Sequence, residues 1–505
     1  MFDYGICGGT VVDGRRTKRY AANVYVQDGK IAAITADILP ARTVFDAKSL
    51  TVAPGFLDIH SHSDTSFLQS PEMKSMLSAG VTFQLGGLCG GSAVPSKKDA
   101  RFRDMESYAG LVAESGISTD IGLLIGHGTL RSLVAGDDMR QVTPEELAQM
   151  CDLLDKLLSQ GALGLSLGLI YPPGSFCDTA EIIALAHVVR KHDKILAVHM
   201  RNENVGVFDA LDEMIHVAEV TGVKLEISHF KLMGRTQWGR ADELLAKVDL
   251  ARAHGIRIHC DQYPYLATGS GLLSSLPKRA ADGGFEAMER NFRDDAWYAE
   301  LAADGFPELY RRADPDKIII STASGCPEYI GKSVAQIAAE NGLSLPDAIR
   351  EIMLKSHFSA HCHYFSMDEG DVLKILSRRD ICVCSDGRAY DLKESANRPH
   401  PRYAGTFPRA LRLIREHKLM PLEDAVYKMT GLPAAILGFD DRFGRLAEGL
   451  DATITVFDAE NITDCATYEN PVQASRGIEL VLVRGTAVYE HGEFTKQYPG
   501  KVQRR

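Results

Sequence analysis

Short apolar runs alternate with amphipathic helical segments through the middle of this 505-residue chain, and that alternation leaves few folds open. The runs end near Ile59, Leu85, Ile125, Leu167, Val198, Ser228, Asp261 and Ser385. A typical intervening helix covers Pro144 to Gln160, with Thr143 as N-cap, Pro144 in the first turn and Gly161 as the stop. Eight such βα units predict an α/β fold, a TIM-like (β/α)8 barrel, whose site lies at the C-terminal ends of the strands.

The two ends of the chain read differently. Ile6–Val12, Ala22–Gln27 and Ile31–Ile34 are short strands, with Asp28-Gly29 as a hairpin turn. Ala452–Phe457, Ile478–Val483 and Val488–His491 repeat the pattern. Residues 1–54 and 438–505 are therefore expected to build one small β-sandwich domain, and 55–437 the barrel. The interval from Leu266 to Asp380 is too long for one crossover and predicts a helical insertion near 270–370.

The net charge of -11, spread along the chain, argues against a nucleic-acid or anionic-membrane partner. No apolar run approaches the roughly 20 residues that span a bilayer. No basic region followed by a long apolar stretch opens the chain, so no signal peptide is expected. Ten cysteines without a secreted-domain spacing fit reduced thiols in a cytoplasmic protein. Cys382 and Cys384 share one strand face, and Cys89 is the exception to the inert reading.

The chemistry gathers at the strand ends. Residues two apart on a strand share a face, so His60 and His62 can converge on one metal ion. Cys89 follows the second strand in a glycine-rich loop, His199 and His229 close the fifth and sixth, and Asp386 follows the last. Thiolate, imidazole and carboxylate together favour zinc over magnesium or calcium. The glycines flanking Cys89 are expected to let the backbone approach the metal. His127, between two glycines, reads as structural or supporting, and His357, His361 and His363 as structural or surface residues.

Several segments are more specific. Ala53 to Asp64, the Gly-Leu-Cys-Gly-Gly-Ser loop around Cys89, Val198 to Glu203 and Ile227 to Lys231 stand beside Asp261-Gln262-Tyr263-Pro264-Tyr265, Ser385-Asp386-Gly387 and His400-Pro401-Arg402. Through them the chain resembles the amidohydrolase superfamily, and within it the D-aminoacylase (N-acyl-D-amino-acid deacylase) branch, over nearly its whole length. The resemblance implies one tightly bound Zn2+ on Cys89, His199 and His229, and a second, weak position lined by His60, His62 and Asp386. It implies Asp386 as general base and then acid, and Lys231, Arg402, Tyr171 and a tyrosine of the pair Tyr263 and Tyr265 as binders of the substrate carboxylate. The implied partner is a small-molecule N-acyl amino acid, and the oligomeric state stays open, a homo-oligomer included. Two alternatives stand beside this reading: a cyclic amidohydrolase of hydantoinase or dihydroorotase type, and an inactive scaffold relative. The first is disfavoured because Gly161 to Tyr171, at the fourth strand, holds no lysine to bridge two metals.

Overall fold

The computed structural model describes residues 1–393 and 397–505. Eight parallel strands form the barrel: β1 (Phe56–Asp58), β2 (Val81–Gly86), β3 (Asp120–Leu123, resumed as Ile125–Gly126), β4 (Gly164–Gly168), β5 (Ile195–His199), β6 (Lys224–Ile227), β7 (Ile258–Gln262) and β8 (Cys382–Val383). They neighbour one another in chain order, β1 to β3 in one arc and β3 to β8 in another. The seam between β8 and β1 closes through bonds from Asp386 N to His60 O (2.9 Å), His62 N to Gly387 O (2.6 Å) and Ser385 N to Asp58 Oδ1 (2.9 Å). Every expected strand end falls in its observed strand or within two residues of it.

The strands are apolar on both faces because helices cover them outside and side chains fill them inside. Leu57, Ile59, Phe83, Leu85, Leu163, Ile195, Ala197, Cys382 and Cys384 share one core cluster, into which Phe439 and Phe443 also pack. The helix Pro144–Ser159 shows the capping logic its sequence carries. Thr143 accepts from Glu146 N, the Glu146 side chain accepts from Thr143 N, and Gly161 follows at φ +100°.

The chain ends interleave in one nine-stranded sheet, Thr51–Pro54 pairing antiparallel with Ile454–Phe457. Its long first strand, Phe2–Val11, pairs with Ala41–Asp46 along its first half and with Thr51–Val52 near its end. The change of partner coincides with an irregularity between Ile6 and Gly9, where Gly8 sits at φ +79°. The sheet thereby encloses one core of Ile6, Val24 and Val52 with Ile454, Val456 and Leu480. Asp28 and Gly29, both at positive φ, make the expected hairpin turn.

The insertion differs from expectation. Besides its helices it holds a three-stranded antiparallel sheet, with His361–Phe365 between Ala267–Gly271 and Ile318–Thr322, and a core of its own. The run Ile318-Ile319-Ile320 is β-branched, as a strand prefers, but its partners lie far along the chain, so local periodicity does not report them. Among the described residues no helix is long and apolar enough to cross a membrane.

Candidate active site

At the C-terminal mouth of the barrel, Cys89 Sγ lies 3.3 Å from His60 Nε2 and 3.5 Å from His229 Nε2. Asp386 Oδ1 is 3.4 Å from His60 Nε2 and 3.0 Å from His62 Nε2. Tetrahedral zinc, with bonds of about 2.3 Å to sulfur and about 2.0 Å to nitrogen, sets those atoms about 3.5 Å apart. The spacing therefore fits a shared cation. His199 stands on the other side of His229, ring centroids 4.4 Å apart, and both of its buried nitrogens lack a hydrogen-bond partner. A cation would occupy one of those two nitrogens, so the residue's chemistry fits a ligand role.

Backbone geometry aims these groups inward. Cys89 (φ +51°), His229 (φ +39°) and Asp386 (φ +45°) all occupy the left-handed region, each directly beyond a strand end. The glycines beside Cys89 allow a close approach of backbone to backbone. A Cβ on Gly87 would stand 2.0 Å from Leu124 O, and one on Gly90 2.6 Å from Gly168 N. They let the loop lie against the neighbouring strand ends, and so fix where the thiol points.

Burial opposes a thiolate at Cys89, yet the charges of His60 and His229 and hydrogen bonding by His229 outweigh it and hold the thiol well below its ordinary value. Asp386 behaves alike. Burial pushes its carboxyl up, while the Arg402 guanidinium, the His62 hydrogen bond and the charges of His60 and His229 hold it well below the carboxylate range.

Comparison with known proteins bears directly on this constellation. The pattern described as "Amidohydrolase family" matches residues 43–300 and 395–489. A D-aminoacylase from Alcaligenes xylosoxydans xylosoxydans is 34% identical over 521 residues, which cover 100% of this chain and 98% of that protein. The chain belongs to the amidohydrolase family. An N-acyl-D-glutamate deacylase from the same organism is 35% identical, covering 100% of this chain and 96% of that one. The crystal structure of N-acyl-D-glutamate deacylase from Bordetella bronchiseptica, with zinc and a phosphonate mimic of the tetrahedral intermediate, superposes with a TM-score of 0.86 at 33% identity, covering all of both chains. The resemblance read from the motifs is thus borne out, and this amidohydrolase is a metal-dependent enzyme.

The two ligand sets implied by the resemblance are not separate clusters in this amidohydrolase. Cys89 and His229 gather with His60 and Asp386, whereas His199 groups with His229 and Glu203. Glu203 was missed as a working residue. Its Oε2 is 3.4 Å from His199 Nε2, and its Oε1 is 3.0 Å from His229 Nδ1. A carboxylate that accepts from Nδ1–H keeps the proton there and leaves Nε2 free for a cation, although the Lys231 ammonium also stands 2.7 Å from this Nδ1. Asp261 does the corresponding work for His60, with Oδ2 3.4 Å from Nδ1, and it also accepts from His229 N. The signal for both was position, four residues after a strand-end histidine for Glu203 and at a strand end for Asp261.

A cavity of about 250 Å³ opens beside the cluster, lined by Tyr171, His199, His229, Lys231, Tyr263 and Asp386 among others. Tyr171 meets His199 edge-on at 5.0 Å. Lys231 is buried and already holds Glu203 Oε1 at 2.6 Å. Arg402 donates from Nη2 to Asp386 Oδ2 (3.0 Å) and from Nε to Asp386 O (2.9 Å), and its buried Nη1 has no partner. Tyr265 is not on the cavity wall. Tyr265 N bonds back to Tyr263 O (3.1 Å), a turn that splits the two rings, and the Tyr265 hydroxyl donates to Pro401 O (3.3 Å) instead.

The remaining histidines lie elsewhere. His127 is buried against Glu181 (Nε2 to Oε1, 2.7 Å), and His363 meets His400 and Tyr468 edge-on. Among the described residues none of His357, His361 and His363 joins a metal-binding group, and all ten cysteines are free of disulfides.

Proposed function

We propose that this protein hydrolyses the amide bond of N-acyl-D-amino acids, giving a carboxylate and a free D-amino acid. The observation that carries the reading is the convergence of Cys89, His229, His60 and Asp386, within 4.8 Å of one another, at the mouth of a barrel with an adjoining cavity. The D preference and the amide substrate come from the relatives, one named D-aminoacylase and two, from different organisms, N-acyl-D-glutamate deacylase.

Cys89, His199 and His229 would hold the tight zinc, with His60, His62 and Asp386 lining a second, weaker position. Such an ion supplies Lewis acidity, lowering the pKa of a coordinated water and polarising the amide carbonyl. The chain's own part is proton handling and orientation. Asp386 is ionised throughout the neutral range, so Oδ1 can accept the attacking water's proton. Because its pKa is depressed, the protonated form is a strong acid toward the leaving amine nitrogen. Arg402 fixes the other carboxylate oxygen and keeps Nη1 free for a substrate carboxylate. Tyr171 and Tyr263 wall the substrate, and Lys231 adds positive charge, tempered by Glu203. β4 offers no bridging lysine, which leaves the cyclic-amide alternative without support.

The test is a hydrolysis screen of N-acetyl and N-formyl amino acids in both enantiomers, with zinc measured per chain. D-enantiomers should be cleaved, and chelation should stop it. A zinc-loaded protein inert toward every N-acyl-D-amino acid sinks the proposal.

A further inference from the structure

The charged side chains lining the cavity are mostly matched in pairs. Asp386 is held by Arg402, Glu203 by Lys231, Arg201 by Glu213 (3.0 Å), and Glu308 by Arg311. Two cations on the wall built by the insertion are left over. Arg312, half-buried at the end of the helix Pro307–Arg312, donates from Nη2 to Ser274 O (3.0 Å) and contacts Ser274 Oγ (3.5 Å). Lys278 donates to Ser175 O (2.7 Å). Among the described residues neither has a carboxylate partner, and both line the same cavity as His229 and Asp386.

A guanidinium bonded only to a carbonyl and a hydroxyl keeps donors for a planar anion. Ser270, Ser274 and Ser275 on the same wall add hydroxyls rather than apolar surface. The charge also reaches the reaction end of the cavity. Burial drives the Tyr171 hydroxyl's pKa up, the charges of Cys89, Asp386 and Glu203 push it further, and Arg312 pulls it down.

We infer that Arg312, assisted by Lys278, forms a subsite for a second carboxylate, so the preferred substrates are N-acyl amino acids with an acidic side chain. Overall identity does not settle this, because the D-aminoacylase and the N-acyl-D-glutamate deacylase are matched almost equally, at 34% and 35%. The inference rests on the deacylase reading and assigns it a side-chain class. The side-chain carboxylate goes to the wall that the insertion builds.

The experiment compares kcat/KM for N-acetyl-D-glutamate and N-acetyl-D-glutamine, which differ only in that charge, in the wild-type zinc enzyme and in Arg312→Met and Arg312→Lys. The wild type should prefer the glutamate compound. Arg312→Met should shrink that preference roughly 10- to 100-fold, the weight of a hydrogen bond to a charged group, mainly through KM, and Arg312→Lys should restore part of it. A wild type indifferent to the charge overturns the subsite while leaving the deacylase reading intact, and so does an Arg312→Met variant that keeps the full preference. Inactivity toward every N-acyl-D-amino acid overturns both.

Discussion

Substituting Asp386 with asparagine removes a charge and little else, and the structure lets its two consequences be separated. Asp386 Oδ2 receives Arg402 Nη2 at 3.0 Å, and Oδ1 stands 3.0 Å from His62 Nε2. An amide can present only one oxygen. If it faces His62, its NH2 confronts the guanidinium, donor against donor. Arg402 is buried, and its remaining bond to the Asp386 carbonyl does not neutralise it. Breaking a buried ion pair by removing one partner destabilises by about 3–5 kcal/mol, and the surviving Nε bond brings the expectation toward the low end, about 3 kcal/mol. On the chemical side, loss of a general acid–base group lowers kcat by about 10²- to 10⁴-fold.

A double variant tells these effects apart. Asp386→Asn with Arg402→Met deletes both charges, so the thermal midpoint should recover much of what the single change lost, whereas turnover should not recover at all. Thermal unfolding, zinc per chain and kcat on one N-acetyl-D-amino acid are measured for the wild type and both variants. Near-wild-type kcat in Asp386→Asn, or turnover regained in the double variant, would remove Asp386 from proton transfer.

Cys89→Ser exchanges a soft ligand for a hard one, and should give a folded chain that loses its tightly held zinc on dialysis, read by metal analysis. Gly87→Ala places a Cβ 2.0 Å from Leu124 O at φ +74°, and chemical denaturation should show at least about 2 kcal/mol of lost stability. At the acid end, Asp386 and Glu203 both carry folded pKa values held below their ordinary range. Burial works against this at each, overcome by Arg402 and the histidines at Asp386, and by His199, Lys231 and His229 at Glu203. Their stabilisation is complete above the unfolded value of about 4 and is lost as pH falls through the lowered folded values, so midpoints measured from pH 5 downward should drop steeply, and less so in Asp386→Asn.

The barrel was legible because its strands are buried on both faces, and each therefore reads as an unbroken apolar run that stops at a chemically active residue. His60, Cys89, His199, His229 and Asp386 all stand just past such a stop, so their convergence follows from the closure of the sheet alone. What pairwise geometry decides was not legible. Glu203 resembles an ordinary acidic loop residue and Asp261 an ordinary strand-end carboxylate until the fold sets them on imidazole nitrogens. Tyr265 shares a motif with Tyr263 and is separated from it by one backbone turn. Arg312 lies in a helix whose sequence says nothing of the cavity it faces, because the insertion's position over the barrel depends on pairings between distant strands.

The conformations of Cys89, His229 and Asp386 suggest why this cluster keeps its shape. A non-glycine residue in the left-handed region costs about 1 kcal/mol or more, so three of them beside one another need support from elsewhere. That support is visible in the backbone. Asp386 N bonds to His60 O, His229 N to the Asp261 carboxylate, and the Cys89 loop is wedged by Gly87 and Gly90 against Leu124 and Gly168. Each strained residue is thus fixed by a neighbouring strand rather than by its own loop. Relaxing any one of them requires opening the barrel seam or lifting the loop, either of which exposes core. The strain is therefore held by the stability of the whole barrel, which fixes the spacing of Cys89, His229 and Asp386.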